Sequence, residues 1–409
     1  MSATKRVLSL FSGCGGMDLG LEGDFRVHRD CVNEAIYPHW IAEKEGDRVL
    51  LAKTSFETVF ANDVTPIARN SWIPYFEKRG RKDAFHLGSI VDLVKATERG
   101  EFRFPENIDL VTGGFPCQDF SVSGKRKGFE SHKSHTGKLL EETEDKLAEN
   151  RGKLYYWMKQ AIELTLPNAF IAENVKGLIS LTNAKEIIEE DFRSIGEKGY
   201  LVLPKLLFAP DYGVPQRRER ILFIGLNKAF LRPEVVEALQ SGELDPFPAK
   251  THAPNPMYPG KAYSTVRSIL AGLREPEEET RDLAQMKYSR AKHYGKMQGQ
   301  VEVDLNGLSP TIRSEHHGNI EFRRLSRELG GKHVEELESG LKMRRLTVRE
   351  CARIQTFPDD YEFVREKTNS PDYPLSATDG YKLIGNAVPP LLAYHLARHL
   401  ESIWGDLFE

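Results

Sequence analysis

The chain has 409 residues, 40% of them hydrophobic and 29% charged, with a formal net charge of −3. That length allows one large core or two to three domains. The near-neutral balance excludes nucleic-acid binding through overall basicity, so any such binding must come from local patches. The four cysteines, Cys14, Cys31, Cys117 and Cys351, form no C-x-x-C pair, which argues against a zinc site or other metal centre and against a disulfide framework.

The polar start, Met1 to Arg6, leads directly into Val7-Leu8-Ser9-Leu10-Phe11. That run is too short for a signal-peptide core or a membrane span, and the reading is a soluble cytoplasmic protein. Short apolar runs predict buried strands at Arg6–Phe11, Thr58–Asp63, Ile108–Phe115, Asn168–Val175, Lys205–Ala209 and Arg220–Leu226. Amphipathic stretches at Tyr155–Leu166 and Ala184–Ile195 predict helices between them. The alternation predicts an α/β fold with a mostly parallel sheet covered on both faces. Ligands in such sheets sit at the carboxyl ends of strands.

Residues 28–57 and 128–150 read as surface insertions. After Leu226 the strand runs thin out, and prolines, glycines and charges increase. The division expected is a catalytic and cofactor-binding domain over 1–226, a smaller irregular domain over 227–340, and a segment over 341–409 that packs back on the first domain. Within that segment, Leu346–Ile354 and Gly385–Leu400 read as helices, the second entered through Pro389-Pro390.

Phe11-Ser-Gly13-Cys14-Gly15-Gly16 follows the first strand and opens a helix. Glycines there let the backbone turn tightly and approach a ligand. A dinucleotide fingerprint needs a third glycine where Asp18 stands, so a nucleoside without a pyrophosphate fits better. Asp63, closing the second strand with Val64 behind it, can accept ribose hydroxyls or cap a helix. Ser89-Ile90 falls where a third strand should end, a place for adenine.

Gly113-Gly114-Phe115-Pro116-Cys117 puts a cysteine at a strand tip. Residues 121–138 hold five basic side chains against one acid, Glu130. Positive surroundings favour the thiolate, so Cys117 reads as a nucleophile. Cys14, Cys31 and Cys351 read as core residues. Glu173 closes another apolar strand, where burial would favour the acid form needed to donate to a ring nitrogen. In Gln216-Arg217-Arg218-Glu219-Arg220, alternation predicts Gln216, Arg218 and Arg220 on one face, with arginine suited to a base carbonyl.

Six pieces in order resemble the bacterial DNA cytosine-5 methyltransferases across nearly the whole chain. They are Phe-Ser-Gly-Cys-Gly-Gly at 11–16, Gly-Gly-Phe-Pro-Cys-Gln at 113–118, Glu-Asn-Val at 173–175, Gln-Arg-Arg-Glu-Arg at 216–220, Arg-Arg-Leu-Thr-Val-Arg-Glu-Cys-Ala-Arg at 344–353 and Gly-Asn-Ala-Val at 385–388. The resemblance implies an S-adenosylmethionine-dependent fold. Phe11 would stack near adenine, Asp63 would take the ribose, and the 13–16 loop, Val64, Ile90, Pro116, Asn386 and Val388 would line the pocket. Ser89 departs from the family's usual aspartate.

The mechanism so implied has Cys117 attack C6 of an extruded cytosine, Glu173 engage N3, and Arg218 hold O2, with Arg220 beside them. The basic loop 121–138 would close on DNA, with Ser121, Ser123 and Lys125 meeting phosphate or the vacated space. Residues 227–340 would carry specificity. Thr311, Arg313, Asn319 and Arg323 stand in a stretch dense in base-edge readers, similar to those of enzymes acting on GGNCC or GGWCC. The resemblance also implies double-stranded DNA as partner, a companion restriction endonuclease, and action as a monomer. Rival readings are a transfer-RNA methyltransferase of the same family and a non-catalytic DNA-binding regulator on the same fold. A nicotinamide oxidoreductase is disfavoured by Asp18.

Overall fold

The computed structural model describes residues 3–116, 154–180, 184–257, 259–314, 320–367 and 373–408. Seven strands form the central sheet: β1 (Lys5–Leu10), β2 (Phe56–Asp63), β3 (Phe85–Leu87), β4 (Leu110–Gly114), β5 (Ala169–Val175), β6 (Tyr200–Phe208) and β7 (Glu219–Asn227). Their order is β3-β2-β1-β4-β5-β7-β6. The first five pair in parallel, whereas β7 runs antiparallel to both β5 and β6. Consecutive strands joined in parallel need a crossover of a dozen or more residues, usually a helix. Only residues 209–218 join β6 to β7, which accounts for the reversal that the mostly parallel expectation left open.

Each strand sends alternate side chains to opposite faces. Val7 joins one apolar cluster; Leu8 and Leu10 join the other. Helices α1 (Gly16–Glu22) and α2 (Pro66–Phe76) cover the first face through Leu19, Leu21, Trp72 and Phe76. Helices α3 (Ile90–Glu98), α4 (Leu154–Thr165) and α5 (Ala184–Arg193) cover the second through Val94, Met158, Ile162 and Phe192. From β1 the chain first builds toward β3, then returns to build from β4 outward. The crevice for a ligand therefore opens where β1 meets β4.

Residues 28–57 are more than a surface insertion. Arg26–His28, Ile41–Glu45 and Arg48–Leu51 form a small antiparallel sheet. Trp40 is buried, stacks on Tyr37 at 3.9 Å, and meets the ring edges of Tyr394 and His395 at 5.4 and 4.8 Å. Residues 128–150 lie outside the described residues. The 227–340 stretch holds short helices, such as Pro233–Ser241 and Val266–Leu270, and two-residue strands, as its composition suggested. Its Val266, Ile269, Leu305 and Ile312 join the same apolar cluster as α1.

At the C-terminal end, α6 (Val348–Ile354) starts later than expected because Thr347 caps it in a capping box with Glu350. The helix expected over 385–400 is two: α7 (Ala377–Asn386) and α8 (Pro390–Leu407). Pro389 and Pro390 lack N–H donors and push the preceding backbone extended, so the chain breaks there. Helix α8 packs on α1 so closely that a Cβ at Gly20 would fall 2.2 Å from the Pro390 carbonyl oxygen. Among the described residues no helix is long and apolar enough to cross a membrane.

Candidate active site

The β1–α1 turn lies at the crevice. Phe11 takes φ 53°, a left-handed conformation that costs a non-glycine residue energy and concentrates at functional sites. Gly13, at φ 56°, has open space where a side chain would project. Gly15, at φ 72°, has none: a Cβ there would meet Trp72 and Phe76 at 2.7 Å. A Cβ at Gly16 would fall 2.4 Å from the Val388 carbonyl oxygen, so α1 and the 386–388 break are pressed together. Asn386 is exposed beside this contact, and Val388 is buried.

Asp63 Oδ2 accepts from Gly13 N at 3.0 Å, and Oδ1 accepts from Thr65 N and Oγ1 at 2.8 and 2.7 Å. Burial pushes the Asp63 carboxyl above its usual range, with hydrogen bonds from Thr65, Gly13 and the Val64 backbone opposing. Val64 next to it is an exposed apolar residue. A nucleoside fits such a cradle: a glycine with room above it, a carboxylate with lone pairs left over, and apolar walls at Phe11 and Val64. Ile90 is buried as the first residue of α3.

Two cofactor-end residues have further tasks. The Ser89 hydroxyl accepts from Val91 N and caps α3. The Cys14 thiol points into the protein toward the Leu383 carbonyl, and burial raises its pKa, so only its backbone stays with the loop.

Asp18, which the sequence offered only as an argument against a dinucleotide, lies fully buried under the turn. It accepts from Ser9 Oγ at 2.6 Å and Trp72 Nε1 at 2.7 Å, and burial pushes its pKa up to about 6. An acid inside a glycine run with a tryptophan downstream was the available signal.

At the tips of β4 and β5, Gly114 pairs in register with Glu173. The glycine leaves room for the carboxylate, since a Cβ there would meet Glu173 Oε2 at 2.9 Å. Asn174, to which the sequence reading gave no task, donates from Nδ2 to the Phe115 carbonyl at 3.3 Å and ties the β4 exit to β5. Pro116 is half-buried just beyond. Cys117 follows Gly114 by three residues and, with Ser121, Ser123 and Lys125, lies outside the described residues.

Arg220 reaches diagonally across the β5–β7 ladder, and its Nε lies 2.6 Å from Glu173 Oε1. Both side chains are only 10% exposed. The contact is an ion pair by distance alone: neither atom has a hydrogen-bond partner among the described residues. Buried polar atoms are ordinarily satisfied, so this pair has capacity for a further polar group.

Arg218 is not on that face. Residues 216–218 are not extended: Gln216 N and Arg218 N donate to carbonyls two residues back, so strand alternation begins only at Glu219. The fully buried Arg218 guanidinium donates to Ile312 O at 3.2 Å, Gly385 O at 3.0 Å and Ala387 O at 2.7 Å. Burial, then repulsion from Arg220, pull its pKa well down, and Glu173 opposes them. Gln216 joins the same seam, accepting from Ile312 N and donating to Gln355, which in turn donates to Ala387 O. The expected hold on a base carbonyl thus gives way to a clamp between the 309–312 segment and the 385–387 turn.

Of the expected base readers, Thr311 donates to Arg217 O at 2.5 Å, and Arg313 donates to Gln298 O at 2.9 Å. Arg323 forms an ion pair with Glu336 at 2.8 Å. Asn319 lies outside the described residues. Among those residues no group of three or more His, Cys, Asp or Glu could hold a metal ion.

A mostly parallel sheet reversed only at β7, with a glycine turn at its switch point, defines the α/β fold of the S-adenosylmethionine-dependent methyltransferases. Residues 5–402 match the C-5 cytosine-specific DNA methylase family, and the chain belongs to it; it is a DNA cytosine-5 methyltransferase of the Type II restriction–modification kind. Type II methyltransferase M.BbvI of Brevibacillus brevis is 31% identical over 410 residues, spanning 93% of this chain and 86% of that one. Type II methyltransferase M.BsuRI of Bacillus subtilis is 28% identical over 394 residues, spanning 96% and 78%. Among solved structures, the S. pombe Dnmt2 methyltransferase is alike with TM-score 0.56 over 98% of this chain and 99% of its own, at 17% identity. That likeness is one of fold.

Proposed function

We propose that the enzyme methylates C5 of a cytosine extruded from a short, specific duplex site, using S-adenosylmethionine, and so protects that site from a companion endonuclease. The observation that carries the reading is the buried Glu173–Arg220 pair, with unfilled hydrogen-bond capacity, at the Gly114 register position that ends β4 three residues before Cys117 in sequence. The Watson–Crick edge of cytosine offers N3, the amino group and O2 to such a pair.

In the proposed reaction the Cys117 thiolate adds to C6, which makes C5 nucleophilic. Glu173 engages N3 and stabilises charge developing on the ring. Arg220 takes the role first given to Arg218, holding Glu173 in place and presenting donors to O2. Loss of the C5 proton to a base and departure of the thiolate complete the turnover. S-adenosylmethionine, when bound, supplies an electrophilic methyl group. Asp63 would hold its ribose, Phe11 and Val64 its adenine, and Gly13, Asn386 and Val388 its remaining edge. None of this geometry is reachable inside a stacked duplex, so the base must leave it, at about a few kcal/mol. Residues 227–340 would recognise the site.

DNA with 5-fluorocytosine at the target tests the reading, because fluorine blocks the final elimination. The wild-type enzyme should remain covalently attached and Cys117→Ala should not; a trapped complex with the alanine variant overturns the nucleophile assignment. Bisulfite mapping of plasmid DNA should show one short motif, and scattered modification would remove the specificity claim. Labelled cofactor offered with DNA and with transfer RNA should label the DNA.

A further inference from the structure

From Leu283 to Val301 the chain carries Lys287, Arg290, Lys292 and Lys296 and neither Asp nor Glu. All four cations are exposed. Among the described residues none of them is paired with an acid. The flanking carboxylates are committed elsewhere. Glu277 takes Lys342, Glu302 accepts from the backbone of Leu325, Lys332 and His333, and Glu321 accepts from Gly299 N.

The underside of this loop is braced by one buried residue. Arg345 donates to the carbonyls of Ala291 and His293 at 2.9 Å, and also to those of Gly299 and Ile320. Its guanidinium lies 4.0 Å over the Phe322 ring, which stacks on Tyr294 at 5.4 Å. The loop is also joined to the expected recognition segment. Gln298 Nε2 donates to Thr311 O at 2.7 Å, and Arg313 donates back to Gln298 O.

Four unpaired cations within ten residues of one another repel, and the bracing of residues 291, 293 and 299 limits how far the segment can disperse them. Such an arrangement matches a regularly spaced polyanion. We propose that Lys287, Arg290, Lys292 and Lys296 form a ridge that docks on DNA backbone phosphates and sets the register of the 311–313 segment over the bases. Lysine predominates, and its compact ammonium on a flexible stem suits phosphate rather than a base edge. The ridge lies outside the Glu173–Arg220 site and rests only on duplex DNA being the substrate.

The test is binding of a fluorescein-labelled duplex across a salt series. Each lost phosphate contact lowers the slope of log affinity against log salt by about 0.9. Lys292→Gln with Lys296→Gln should therefore lower it by about 2, with thermal midpoint and S-adenosylhomocysteine affinity unchanged. Lys292→Arg with Lys296→Arg should keep the wild-type slope. So should Lys198→Gln, an exposed control just before β6 at the amino end of the sheet. An unchanged slope in the glutamine variant, with the wild type binding normally, overturns the ridge alone. A larger slope loss on single-stranded RNA than on duplex also overturns it. A wild-type enzyme that binds no duplex overturns the DNA reading beneath it.

Discussion

Replacing Arg218 by methionine separates a structural arginine from a chemical one. The substitution keeps an unbranched stem and removes donors to three carbonyls. Ala387 O keeps Gln355 Nε2 at 2.7 Å, so the Ile312 and Gly385 oxygens are the ones abandoned. Each stranded buried carbonyl costs about 1–3 kcal/mol, about 4 kcal/mol for the two. Relief from burying a charge without a carboxylate offsets part of this, leaving about 2–4 kcal/mol. At an unfolding entropy of about 2 cal/mol/K per residue, the midpoint should fall by about 2–5 °C in scanning calorimetry. S-adenosylhomocysteine should bind more weakly, because the 385–387 turn that Arg218 holds leads into Val388 behind Gly16. An unchanged midpoint and intact S-adenosylhomocysteine affinity, together with collapsed turnover, would refute this and return Arg218 to the chemistry.

Glu173→Gln keeps the side chain's shape and removes the acid; turnover in single-turnover assays should fall about 10²–10⁴-fold while duplex and S-adenosylhomocysteine affinities hold, and a smaller loss excludes Glu173 as the proton donor. His395 is buried among Tyr37, Trp40 and Tyr212, and burial lowers its pKa to about 3. Its stability contribution is complete above an unfolded value of about 6.5 and is lost as pH falls toward about 3, about 2 kcal/mol by pH 5. Asp18 acts oppositely: with a folded pKa raised to about 6, its contribution is complete below 3.8 and is lost as pH rises through 6. Urea titrations of His395→Phe and wild type at pH 7 and pH 5 cancel the Asp18 part; the variant should lose less stability than wild type, and parallel losses refute the assignment. Gly16→Ala should lower the midpoint and abolish S-adenosylhomocysteine binding, since its methyl group would press on the Val388 carbonyl. Gly405→Ala, in α8 with nothing within 4 Å, should instead stabilise by about 1 kcal/mol.

The strands were legible where apolar runs are long. Six were placed by pattern alone, with ends shifted by a few residues. β3 was not placed as a run, because three residues with His86 at the centre give no periodicity. Its end was nevertheless anticipated at Ser89. Glu173 could be read as a buried acid at a strand tip, but its partner could not. Choosing between Arg218 and Arg220 requires knowing that the backbone turns twice before Glu219, and nothing in Gln-Arg-Arg-Glu-Arg reports that. Arg323, on a short strand, looked like a base reader because its partner Glu336 is supplied by a helix 13 residues further along. Ionic pairings between distant segments leave no mark in a local pattern, whereas hydrophobic alternation does.

The contact of α1 with α8 joins residue 20 to residue 390. A chain emerging from the ribosome exposes its glycine turn about 370 residues before the start of the helix that backs it. Until α8 has emerged, the turn has half a wall. Competence therefore waits for α8, and products stopped before it are expected to be inert rather than weakly active.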